Sequence, residues 1–436
     1  MMKPMLYFST NHISPKADFR AATINGLAPD KGLYFPERIP SLSEDFIANI
    51  DEYAKEEIAI RVIEPYVGDV IPKEELERIV SETINFEFPL VQIDANISAL
   101  ELFYGPTLAF KDVGARFMSR CLAYFVKEEK QTVTVLVATS GDTGGAVANG
   151  FFNVPGVEVV ILYPSGKVST IQELQLTTLG KNITALEING SFDDCQDMVK
   201  QAFADDELRK RLFMTSANSI NIARWLPQQF YYFFAYQQWK QGDLPVISVP
   251  SGNFGNISAG LLAYKSGLPV QHFIAACNSN DIIPAYIASG EYKPKKSVAT
   301  ISNAMDVGDP SNFVRIKEMF EAEPGLLKRM LSGYSISDDE TVSTIQKVYQ
   351  EFQYVLDPHG AVGYAALEKY LLDKPGLKGF FLETAHPVKF HDAIVKSIQQ
   401  YVEMPEAVSQ LTKVDKRSTR LDASFPHLKD FLLSVK

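Results

Sequence analysis

The sequence predicts an α/β protein with a mainly helical N-terminal addition, and three observations lead there. From about residue 95 onward, short β-branched runs alternate with amphipathic helical stretches. Two of those runs end in small, glycine-rich polar loops that lead into helices. Before residue 95 there are no such loops, and the patterning is helical.

Taken in order, the stretch from Ser43 to Asn85 carries acidic helical segments such as DEYAKEEIAIRVIEPYV and KEELERIVSETI, punctuated by Pro65 and Pro72. We therefore expect a separate unit over residues 1–94 and a second region over 95–436. A helix is predicted from Asp112 to Glu129, where Val113, Phe117, Cys121 and Phe125 recur every four residues along one face. VTVLVA (Val133 to Ala138), VEVVILY (Val157 to Tyr163), PVISVP (Pro245 to Pro250), HFIAAC (His272 to Cys277) and GFFLET (Gly379 to Thr384) read as buried strands. Ile220 to Gln241, rich in aromatic residues, reads as a buried helix. Such alternation argues for parallel sheets covered by helices on both faces.

Bulk properties narrow the function classes. A chain of 436 residues with 46% hydrophobic and 22% charged residues has the composition of a folded protein large enough for two or three structural units. The net charge of −11 argues against nucleic acid or an anionic membrane as a partner. Cys121, Cys195 and Cys277 are widely spaced with no CxxC pattern, so a disulfide frame or zinc site is not expected. The N-terminal stretch has neither signal-peptide nor transit-peptide character, and no window approaches a membrane span. The expectation is a cytoplasmic protein without an obligate protein partner.

In a doubly wound sheet, ligands bind beyond the carboxyl ends of the strands. After PVISVP comes Ser251-Gly252-Asn253-Phe254-Gly255-Asn256, where the glycines allow close backbone approach and the following helix offers its free N–H groups to an anion. After VTVLVA comes Ser140-Gly141-Asp142-Thr143-Gly144-Gly145, a similar device of a size suited to a carboxylate. By itself either loop is equally an ordinary βα turn or helix cap. Lys111, in GPTLAFKD, follows an apolar run and opens a helix; desolvation would free its amine as a nucleophile, although a stem covering apolar surface reads the same way. In combination, a lysine, a carboxylate loop and a phosphate loop match what an amino-acid substrate on pyridoxal phosphate requires.

The motifs GPTLAFKD, ATSGDTGGAVA, SANSINIAR, VPSGNFGN, DVGDPSNF, DPHGAVG and ETAHPVKF occur in the order found in threonine synthases of the bacterial and fungal type, and the chain resembles that family over roughly Phe103 to Phe390. The resemblance implies the tryptophan-synthase β-like fold (fold type II): two parallel-sheet α/β domains clasping pyridoxal 5'-phosphate, the smaller one covering roughly 113–216. It implies that the cofactor is attached to Lys111 and that Gly252, Asn253, Phe254, Gly255 and Asn256 cradle its phosphate. Thr384 would partner the pyridine nitrogen. Ser140, Asp142 and Thr143 would line the site of the substrate carboxylate, and Asn218, Ser219, Asn221 and Arg224 that of the substrate phosphate. No metal is implied.

The implied reaction converts O-phospho-L-homoserine and water to L-threonine and phosphate. The alternatives are a threonine or serine dehydratase, a synthase-like phospho-lyase, or a non-catalytic nucleotide-binding protein built on the same turns. His359, His386 and the loop 303–313 take no role from the sequence.

Overall fold

The structure is a computed structural model that describes residues 4–127, 132–400 and 402–434. Its chain forms two compact units. The first takes Phe35–Phe110 and Trp225–Glu403; the second takes Leu6–Tyr34, Lys111–Arg224 and a C-terminal stretch beginning at Met404.

In the first unit a six-stranded sheet runs in the order Leu331–Ser335, His272–Cys277, Val246–Pro250, Gly379–Glu383, Ile97–Glu101, Leu90–Gln92. Its first four pairings are parallel, and only the edge strand Leu90–Gln92 runs antiparallel to its neighbour. Burial on both faces makes the central strands almost continuously apolar, which is why VISVP, HFIAAC and GFFLE stand out in the sequence. The helix Pro358–Leu372 buries Val362, Tyr364 and Leu367 against Ile274, Ala276 and Phe381 of the sheet. N-terminal helices Glu44–Ala48, Lys55–Val67 and Lys73–Thr83 belong to this unit. Pro65 is accommodated near the end of the second of these helices, and Pro72 precedes the third.

The second unit holds five parallel strands in the order Thr419–Asp422, Ile183–Asn189, Val157–Pro164, Val133–Ala138, Phe213–Ser216. Leu136, Leu162, Leu186 and Ile188 pack against Met198, Val199 and Leu428 beneath it. The helix predicted from Asp112 runs over Lys111–Val126, and its expected last residues, 128 and 129, lie outside the described residues.

One element differs from the sequence reading. The helix expected over Ile220 to Gln241 is three pieces: a turn of helix at Ile222–Trp225, a 3-10 turn at Leu226–Gln229 and a helix at Phe230–Gln238. Pro227 lacks the N–H that a continuous helix needs there, and the backbone tightens into the 3-10 turn around it.

Candidate active site

The turn after Val246–Pro250 is built from the backbone outward. Phe254 sits at φ 62, left-handed for a non-glycine residue, and serves as the N-cap of helix Gly255–Lys265. Its ring meets Phe313 edge-on with centroids 6.2 Å apart. Gly252 is required, because a Cβ there would lie 2.8 Å from the Ala304 carbonyl oxygen and from the Met305 Cα. Asn256 is buried and its side chain faces inward: Nδ2 donates to the Pro250 carbonyl at 2.8 Å, while Oδ1 accepts from Ser251 Oγ and from the Ile257 amide. The Asn256 side chain thus holds the turn, and the first-turn amides of an eleven-residue helix remain as anion donors. Asn253 Oδ1 accepts from the Ser311 hydroxyl.

Segment 105–110 leads to Lys111 and is clamped by the strand end at 384–389. The Phe110 amide donates to the Thr384 carbonyl at 2.9 Å, and the His386 amide donates to the Leu108 carbonyl at 3.0 Å. Lys389, 1% exposed, donates from Nζ to the Thr107 carbonyl at 2.8 Å. Tyr231 donates its hydroxyl to the Phe110 carbonyl. Leu108 stands at φ 58, a second strained residue, three positions before Lys111. His386 accepts from the Val388 amide and caps the turn Pro387–Phe390, so its work is structural.

Beside Thr384 lies a buried carboxyl cluster. Glu383 is fully buried, and Oε1 accepts from the Asp357 amide at 2.6 Å. Burial, then the neighbouring Asp357 carboxylate, pushes the Glu383 carboxyl well above the usual range. Asp357 caps helix Pro358–Leu372 and holds His359 through a 2.5 Å contact between Oδ1 and Nδ1. His359 Nε2 accepts from the Ala304 amide at 3.2 Å.

In the second unit, Lys111 is half-buried as the first residue of its helix. That helix lies close against Arg224: a Cβ at Gly114 would sit 2.7 Å from the Arg224 carbonyl oxygen and 3.1 Å from its Nε. Arg224 itself is 3% exposed and donates from Nη1 to the Ala217 carbonyl at 2.6 Å. Asn221 is fully buried; Nδ2 donates to the Thr23 and Ser216 carbonyls, and Oδ1 accepts from the Ala223 amide. Asn218, half-buried, donates from Nδ2 to the Ala138 carbonyl at 2.9 Å, which ties its loop to the end of the strand Val133–Ala138, just before Ser140.

At Ser140–Thr143 the backbone is shaped by Thr139, whose hydroxyl accepts from the Gly141 and Gly144 amides. Gly141 adopts φ 138 and has no room for a Cβ, because Gln172 would lie 2.4 Å away. Asp142 accepts from Gln172 Nε2 at 3.0 Å, whereas Ser140 and Thr143 are half-buried. Thr139 and Gln172, which build this loop, were not singled out by the sequence reading. A threonine just before a glycine-rich turn is the signal that could have found the first of them; Gln172 lies thirty positions from its partner and carries none.

Comparison with known proteins shows the family. Residues 89–379 match the family of pyridoxal-phosphate dependent enzymes, residues 6–84 the threonine synthase N terminus, and residues 360–432 the threonine synthase C-terminal region. The chain belongs to the threonine synthase family of pyridoxal-phosphate dependent enzymes. It is 43% identical over 434 residues to threonine synthase of Escherichia coli K12, covering 98% of this chain and 99% of that protein. With threonine synthase of Saccharomyces cerevisiae it shares 34% identity over 94% of each chain. The crystal structure of the Escherichia coli enzyme superposes with TM-score 0.94 at 40% identity over 99% of this chain and 100% of that one. A pyridoxal-phosphate-bound threonine synthase from Brucella melitensis superposes with TM-score 0.90 at 35% identity over 98% of both chains. Maize serine racemase, at 16% identity and TM-score 0.55, shares the fold alone.

Proposed function

We infer that this chain is a threonine synthase that converts O-phospho-L-homoserine and water to L-threonine and phosphate. The observation that carries the inference is kinship along the whole chain, with 98% of it aligned to a relative at 43% identity. The cofactor is pyridoxal phosphate, and the turn 252–256 suits a phosphate because backbone amides of a long helix are presented behind a glycine that brings the chain close.

In this reading Lys111 is the attachment point and the general base. Its amine removes the substrate α-proton, holds it, and returns a proton to Cα at the end of the cycle. When bound, the cofactor supplies an electron sink for the charge that develops as substrate C–H bonds break. Gly252, Asn253, Phe254, Gly255 and Asn256 hold its phosphate through backbone amides. Thr384 would be the neutral hydroxyl partner of the pyridine nitrogen, and a neutral partner would not keep a proton there as a carboxylate would. Ser140 and Thr143, at the start of helix Asp142–Phe151, orient the substrate carboxylate, with Asp142 shaping the loop through Gln172.

Asn218 and Ser219 address the substrate phosphate. Asn221 and Arg224 support them from behind, because their side chains bind main-chain carbonyls of their own unit. Among the described residues no helix is long and apolar enough to cross a membrane, and no cluster of metal-ligating side chains is present. All three cysteines are buried, which suits a reducing compartment such as the cytoplasm.

The experiment is product identification. The purified chain with pyridoxal phosphate and O-phosphohomoserine should yield L-threonine and inorganic phosphate in equal amounts. A keto acid with phosphate would make it a phospho-lyase. Deamination of threonine without action on O-phosphohomoserine would make it a dehydratase.

A further inference from the structure

We propose that the segment from Asn303 to Arg315 is the brace of the phosphate cup and that Arg315 is its positioning residue, setting how strongly the cup prefers a phosphorylated cofactor. The proposal rests on reading 252–256 as that cup.

Three consecutive cup residues meet this segment. Gly252 lies against Ala304 and Met305, with no space for even a methyl group. The Asn253 carbonyl accepts from the Asn312 amide at 3.1 Å, and its side chain accepts from Ser311. Phe254 rests edge-on against Phe313. A left-handed phenylalanine is strained, and contacts of this kind are what keep such a conformation in place.

The segment is itself fixed at three points. His359 holds the Ala304 amide and is in turn fixed by Asp357. Asp306 accepts from Nδ2 of Asn278 and of Asn280 and from the Thr300 hydroxyl and backbone amide. Arg315, with no exposed surface, donates from Nη1 to Asn312 Oδ1 at 2.6 Å, and its own amide donates to the Asn312 carbonyl.

Arg315 also reaches the cup from the other side. Its guanidinium lies 4.3 Å over the Trp225 ring. The Trp225 indole donates to Ser258 Oγ at 2.8 Å, and Ser258 donates to the Gly255 carbonyl at 2.9 Å. One buried cation therefore ties together both flanks of the turn, Asn253 through Asn312 and Gly255 through Trp225 and Ser258. Burial lowers its pKa to about 9, so it remains charged at neutral pH. Hydrogen bonds to a charged group, and geometry this constrained, make Arg315 a better candidate than a lysine for the task.

The test compares the affinities of the cofactor-free full chain for pyridoxal phosphate and for pyridoxal. Their ratio reads the cup and little else. In the unsubstituted protein the phosphorylated form should bind far more tightly. Arg315→Gln should lower the ratio about tenfold or more, the scale of one charge-assisted hydrogen bond, and leave pyridoxal affinity unchanged. Arg315→Lys should restore part of it. An unchanged ratio in Arg315→Gln, or equal weakening of both ligands, overturns the proposal and leaves the cup in place. If Arg315→Gln does not fold, Ser311→Ala on the exposed side decides: a selective fall supports the brace, and a retained ratio overturns it. If the unsubstituted protein itself shows no preference, the cup reading fails, and the brace fails with it.

Discussion

The amide of Phe110 donates to the carbonyl of Thr384 at 2.9 Å, and Phe110 is covalently bonded to Lys111. A residue far along the chain, at the carboxyl end of a sheet strand, thus fixes the backbone that leads directly into Lys111. The bridge between Ala109 and Ala385 continues the same pairing.

Lys111→Ala should lower turnover at least about a thousandfold, because it removes both the covalent anchor and the general base. The unsubstituted protein should be yellow and lose its long-wavelength absorbance on borohydride treatment, and the variant should show no covalent label after the same treatment. Normal turnover in the variant would refute the assignment.

Gly360→Ala should destabilise the fold by about 3 kcal/mol or more, the upper range for overpacking a rigid site. The added methyl would fall 1.5 Å from Glu383 Oε2, and Glu383 is held on its other oxygen by Asp357. Chemical denaturation of the two proteins measures the difference. A loss below about 0.5 kcal/mol would mean that the cluster yields easily.

The contributions of Glu383 and Asp306 to stability should fall as pH rises through the acid range. Glu383 is pushed well above its ordinary value of 4.5, by burial and then by Asp357, and Asp306 is pushed from 3.8 up to about 6, also by burial. A folded-state pKa above the unfolded one means that the unfolded chain releases its proton first, so each group's contribution declines from the unfolded pKa up to the folded one. Asp306 acts between about pH 4 and 6, and Glu383 from about 4.5 upward. Glu383→Gln, which keeps the shape without the charge, should raise the melting temperature at pH 8 and change it little at pH 4. An equal shift at both values would exclude a titrating Glu383.

Asn221→Ala should cost about 2 kcal/mol of stability, since two buried carbonyls lose their donor and the Ala223 amide loses its acceptor. Thr143→Val should instead raise KM for O-phosphohomoserine with the melting temperature unchanged. Reversal of these two outcomes would exchange the supporting and substrate-facing roles.

The sequence by itself determined the class of fold and marked the two glycine-rich turns proposed to bind anions. Buried parallel strands must be apolar on both faces, so VTVLVA, VISVP, HFIAAC and GFFLE are visible as runs, and the turns after them must be small, polar and glycine-rich. It also marked Lys111, whose position between an apolar segment and a helix start is a local property. What lay beyond it was set by contacts between distant positions.

Only the tertiary structure decided that Asn256, Asn221 and Arg224 point their polar groups at main-chain carbonyls. A sequence shows that a side chain can donate, not which acceptor is nearest. Likewise Pro227 split a helix that composition drew as continuous, and the exposed strand Thr419–Asp422 has no apolar pattern to announce it. The loop around Asn303–Phe313 and His359 acquired a role for the same reason. The loop's partners Gly252 and Asn253, and the partner of His359, Ala304, are each distant along the chain and come together only when the sheet brings strand ends side by side.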